Sequence, residues 1–167
     1  MWKQYLGPYS VIVGLDIDPV CQQSAEDQIH IRIGNQSDTS FLQKVLDEFG
    51  TPDIIIDDGS HMMQDMRKSF LYLYSRLPDN GVYIVEDMHT CYWPDFGGGY
   101  RAEGSFMEFC KGHIDLLNAY HTKGRLKPTE FTDSTFSVCF YDSVVVFEKR
   151  KRPSRLKSVT TGTIQNQ

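Results

Sequence analysis

Short apolar runs alternate along the chain with stretches in which apolar residues recur every three or four positions. Residues 11–15 (VIVGL) predict a strand ending at Asp16. Asp18 can cap and Pro19 can open the helix that follows, positions both residue types favour. Ile29, Ile31 and Ile33 alternate as a second strand, stopped at Gly34. Ser40 with Gln43 has capping-box spacing ahead of an amphipathic helix bearing Phe41, Leu42, Val45, Leu46 and Phe49. Ile54, Ile55 and Ile56 form an unbroken apolar run, the pattern of a strand buried on both faces. Met63, Met66, Phe70, Leu73 and Leu77 then keep helical spacing, and residues 82–85 form another apolar strand. Strand, helix, strand predicts a crossover between parallel strands. A second capping-box pattern, Ser105 with Glu108, opens a helix with Phe106, Phe109, Cys110, Leu117 and Tyr120 on one face. Residues 136–141 and 144–147 flank Asp142-Ser143 as an antiparallel hairpin. The expected class is α/β: a Rossmann-like, mostly parallel sheet closed by a C-terminal hairpin.

The polar residues at the strand ends carry the chemistry. The runs IIIDDGSH (54–61) and VYIVEDMH (82–89) each end in paired carboxylates followed by a histidine. If their strands are adjacent, about 4.8 Å apart, then Asp57, Asp58, Glu86 and Asp87 emerge together at the carboxyl edge, where open α/β sheets bind ligands. Carboxylates crowded in that way repel one another unless a cation or shared proton neutralises them. Magnesium, an oxygen-seeking ion that keeps water positions open for substrate, suits Asp58, Glu86 and Asp87. The alternative is a set of solvated strand-end acids. His61, expected in the first turn of the next helix, is placed to act as general base, or to serve as a capping residue. His89 could orient a ligand or simply pack. Asp16 is placed to accept hydrogen bonds from ribose hydroxyls, as strand-end acids of Rossmann-like sheets do, or to shape the loop into the next helix. Asn35 and Gln36 could read an adenine edge or form a polar turn. Tyr92, Trp93 and Gly97 to Gly99 make an aromatic loop suited to a mobile lid over a sugar ring.

Charge narrows the partners. The net charge is −5, yet six of the 17 basic residues lie from Lys149 onward and nothing acidic follows Glu148. The body is therefore strongly acidic and a poor nucleic-acid binder. Residues 1–149 are expected to form the domain, and residues 150–167 a basic, solvated tail. No apolar stretch approaches the roughly 20 residues of a membrane helix. Cys21, Cys91, Cys110 and Cys139 are scattered without a CxxC pair, which suggests neither zinc nor a disulfide framework and makes the cytoplasm the expected setting.

The ordered set GLDIDP, IGNQSD, DIIIDDGSH, GVYIVEDMHTCYWP and FYDSVVVFEK resembles the metal-dependent class I S-adenosylmethionine methyltransferases, in particular the macrocin and mycinamicin type of sugar O-methyltransferases. The resemblance implies magnesium held by Asp58, Glu86 and Asp87, His61 as base, and Asp16 on the cofactor ribose; Asn35, Gln36 and Asp57 are expected on the cofactor side as strand-end polar residues. It implies S-adenosylmethionine and Mg2+ as cofactors and a hydroxylated sugar or glycoside as the small-molecule acceptor. Members of that family begin the fold with a strand and a Gly-rich loop, whereas MWKQYLGP resembles the helix after such a loop. The domain is thus expected to be N-terminally incomplete, with a gap at the centre of its sheet. Such a gap exposes the edges of apolar strands and would favour a homo-oligomer. The alternative function is a non-catalytic, truncated domain that binds metal or a partner but not the cofactor.

Overall fold

A computed structural model describes residues 1–151; all but the first two positions of the expected basic tail lie outside the described residues. Among the described residues, six strands and five α-helices follow one another as α1 (Trp2–Leu6), β1 (Ile12–Asp16), β2 (Ile29–Ile33), α2 (Thr39–Phe49), β3 (Ile54–Asp57), α3 (Met63–Leu73), β4 (Val82–Val85), α4 (Phe106–Leu117), α5 (Glu130–Ser134), β5 (Thr135–Tyr141) and β6 (Val144–Lys149). Short 3-10 turns fill several connections, including Pro19–Ser24, where Asp18 accepts the Val20 N–H at 2.9 Å as the expected cap.

The strands form two sheets rather than one. β1 and β2 pair in parallel, while β3, β4, β6 and β5 form a second sheet in that order. β3 and β4 run parallel with Asp57 opposite Val85, as the crossover pattern requires, and β6 lies antiparallel to both of its neighbours. β1 and β3 both border a cleft of 390 Å³ without pairing across it. The isoleucine run therefore departs from its expected burial: Ile54 is 48% and Ile56 36% exposed. Side chains alternate along a strand, so the two share one side of β3, where the cleft leaves them uncovered.

The core belongs to the four-stranded sheet. Tyr83, Val85, Val145 and Phe147 from β4 and β6 meet Met63, Met66 and Phe70 of α3 and Phe106 and Cys110 of α4. Phe70 is its hub, stacked on Tyr74 and tilted against Phe147 at 4.5 Å between ring centroids. By contrast, β2 and α2 bury only Ile31 and Leu42.

Two local expectations are corrected. Asp38, not Ser40, caps α2, accepting the Ser40 and Phe41 N–H groups, because its carboxylate lies two and three residues before those donors. Ser105 does cap α4, but Glu108 turns to Lys111 instead of closing a box.

Candidate metal and acid–base site

The parallel pairing of β3 and β4 brings both acidic strand ends to one edge. The Glu86 N–H donates to the Asp57 carbonyl at 3.0 Å, extending the ladder one step past the strands. Beyond this point both chains turn sharply. His61 and Asp87 are left-handed, with φ of 56° and 52°, conformations that cost non-glycine residues about 1 kcal/mol and cluster at functional sites. His61 thus sits in the loop before α3, not in its first turn; Met62 is the N-cap residue. Ser60 braces this loop, its Oγ accepting the Met62 N–H and donating to Asp65.

These turns converge three side chains. Asp58, His61 and Asp87 each offer a ligand atom, all within 4.8 Å of one another. His61 Nε2 lies 3.8 Å from Asp58 Oδ1 and 3.8 Å from Asp87 Oδ2. Both carboxylates are about half exposed, so solvent or substrate reaches them. Glu86, half-buried, stands outside this convergent group. The donors fit a hard divalent cation: carboxylate oxygens are its preferred ligands, and an imidazole between two such acids can ligate or hold a proton.

An aromatic wall flanks the acids. His89 packs edge-on to Trp93 at 4.6 Å, Trp93 leans on Phe96 at 5.9 Å, and Phe96 lies edge-on to His61 at 6.4 Å. Tyr92 and Trp93 are close to half exposed. The glycine run is hydrogen-bonded in place: the Gly98 and Gly99 N–H groups donate to the Trp93 and Cys91 carbonyls, and a Cβ on Gly98 would collide with backbone.

The residues expected on the cofactor side are arranged differently from one another. Asp16 is exposed at the end of β1; the Asp18 N–H, bonded to Oδ1 at 2.8 Å, and the Cys21 thiol hold its carboxyl below the usual carboxylate value. Asn35 makes a polar turn, its Oδ1 accepting from the Ser37 N–H and hydroxyl. Gln36 reaches across the cleft between the sheets: its Nε2 donates to Asp57 Oδ1 at 3.0 Å and its Oε1 accepts the Ser60 N–H. A side chain on Gly59 would displace that carboxamide. Asp57 is buried, and desolvation raises its carboxyl pKa although Ser69, Tyr83 and Gln36 all donate to it. Its carboxylate is thus engaged within the protein. The apolar spacing of α3 and β4 points to neither Ser69 nor Tyr83 as a partner of Asp57.

No family model matches the chain. Among characterised proteins, the 8-demethyl-8-alpha-L-rhamnosyl tetracenomycin-C 2'-O-methyltransferase of Streptomyces olivaceus is 34% identical over 168 aligned residues, covering 96% of this chain and 44% of that protein. The mycinamicin VI 2''-O-methyltransferase of Micromonospora griseorubida is 43% identical over 122 residues, covering 70% of this chain and 30% of that protein. Among solved structures, the MycE methyltransferase from the mycinamycin biosynthetic pathway in complex with Mg and SAH aligns with a TM-score of 0.82 at 32% identity, over 90% of this chain and 40% of that one. MycE with Mg, SAH and mycinamycin VI aligns at 0.81 and 30% identity, over 95% of this chain and 42% of that one. The chain therefore spans less than half the length of these relatives.

Proposed function

We infer that this chain, which belongs to the macrocin and mycinamicin type of class I S-adenosylmethionine methyltransferases, takes part in magnesium-dependent transfer of a methyl group from S-adenosylmethionine to a hydroxyl of a sugar or glycosylated natural product. The observation that carries this reading is the convergence of Asp58, His61 and Asp87 at the carboxyl edge. SAH, present in the MycE complexes, is the demethylated product of such a reaction.

The residues divide the work. Asp58 and Asp87 would hold the cation, with Glu86 reaching it after a side-chain rearrangement. When bound, the cation would supply Lewis acidity, making a sugar hydroxyl easier to deprotonate. His61 Nε2 sits between the two carboxylates, where it can take the proton of an acceptor hydroxyl. Trp93, partly exposed beside the acids, offers a flat face to the acceptor ring. Asp16, exposed at the end of β1, offers its carboxylate to ribose hydroxyls. The engagement of Asn35, Gln36 and Asp57 within the protein favours a second reading, a domain that binds metal without the cofactor.

Methyl transfer from labelled S-adenosylmethionine to a glycosylated polyketide, with and without magnesium, tests the first reading, and calorimetry with S-adenosylmethionine and SAH tests the second. Loss of transfer on chelation and a drop of about 10²–10⁴ in kcat for His61→Gln are expected. Full activity in Asp58→Ala would sink the metal role, and binding heat with S-adenosylmethionine would sink the cofactor-free alternative.

A further inference from the structure

Asp87 holds a backbone conformation that its own side chain does not stabilise; Thr90 bonds its carbonyl from within the turn, and a second brace on the same turn comes from the far end of the chain. Ser143 stands at the tip of the β5–β6 hairpin, itself left-handed with φ of 60°. Its carbonyl accepts the Met88 N–H at 2.9 Å. Its Oγ accepts the His89 N–H at 3.2 Å and lies 2.6 Å from His89 Nδ1. One hydroxyl can meet both demands: it receives the backbone N–H on one lone pair, and either gives its own hydrogen to the ring nitrogen or receives the ring N–H on its second lone pair. Either way, that bonding assigns the His89 Nδ1 to Ser143.

The assignment matters because His89 Nδ1 also lies 3.8 Å from Asp87 Oδ1. A ring nitrogen bonded to Ser143 at 2.6 Å, as acceptor or as donor, is not the partner of Asp87. The carboxylate is left available, and the ring is held edge-on against Trp93. We propose that Ser143 is a positioning residue for the Asp58–His61–Asp87 site: it clamps the turn that aims Asp87, and it keeps His89 from pairing with that carboxylate. The inference rests on the divalent-cation reading of the site.

Mn2+ titrated into the chain, with the free ion followed by electron paramagnetic resonance, measures cation affinity without any turnover. Ser143→Gly is the informative variant, because glycine accepts a φ of 60° freely and the hairpin keeps its carbonyl bond. It should raise the Mn2+ dissociation constant about tenfold, the usual scale for losing a group that orients a ligand, with the thermal midpoint unchanged or higher. The 15N shift of His89 Nδ1 should change as its bond to the hydroxyl is lost. Removing the competing ring as well, in the Ser143→Gly, His89→Ala pair, should recover affinity. An unchanged dissociation constant in Ser143→Gly, or no recovery in the pair, overturns the proposal. Absence of Mn2+ binding by the wild-type chain overturns instead the cation reading beneath it.

Discussion

His113 illustrates how one side chain can couple the core to pH. It projects from α4 into a ring cluster, 4.2 Å from Phe109 and 4.6 Å from Phe131 between centroids, and its Nδ1 bonds the Phe109 carbonyl. Burial lowers its pKa below the ordinary histidine value, ahead of the opposing backbone bond. The unfolded chain therefore binds the proton at higher pH than the folded one. This contribution to stability is complete above the unfolded value near 6.5 and is lost as pH falls through the lowered folded value. Denaturant midpoints should accordingly drop on acidification from pH 7.5 to 5, and His113→Phe should flatten that drop. Equal slopes in the two proteins would show that His113 does not titrate with folding. Asp57, also buried, has neutral partners: hydroxyls from α3 and β4 and the Gln36 carboxamide.

At the level of elements, β6 does more than close the sheet. Its last residue, Lys149, is the first of the basic run, yet it is only 6% exposed. Its Nζ donates to the carbonyls of Tyr74, Ser75 and Leu77 at 3.0–3.3 Å, satisfying groups left open where α3 ends. Lys149→Met keeps the stem but leaves those carbonyls without their charged donor, and should cost about 2–3 kcal/mol in urea unfolding; a loss below 0.5 kcal/mol, roughly the scale of a surface change, would argue that water replaces the ammonium. Much of this level was legible beforehand. Periodicity located the α3 face and the hairpin, and the paired acids marked Asp58 and Asp87, because local spacing governs which face a residue takes. Lys149, Ser143 and the Asp57 partners were not legible, since each acts through a contact between residues far apart in the chain. Ile54 and Ile56 misled for a related reason: an apolar run signals which residues can be buried, not which neighbour covers them.

Across the whole molecule, packing is uneven. The buried cluster draws on α3, α4, β4 and β6, while β1, β2 and α2 lean on a thin apolar layer beside the cleft. Backbone hydrogen exchange should follow that division, with amides of 82–85 and 144–149 protected well beyond those of 12–16 and 29–33; uniform protection would mean the two sheets open as one unit. Among the described residues, no helix is long and apolar enough to cross a membrane. The carboxamide of Gln36, bonded on one side of the cleft while its backbone belongs to the other, gives this division a natural gauge. Its two amide protons should resonate apart and exchange slowly while the sheets are docked. They should merge toward solvent values if the sheets part, so a single side-chain signal would read out how closed the molecule is under any chosen condition.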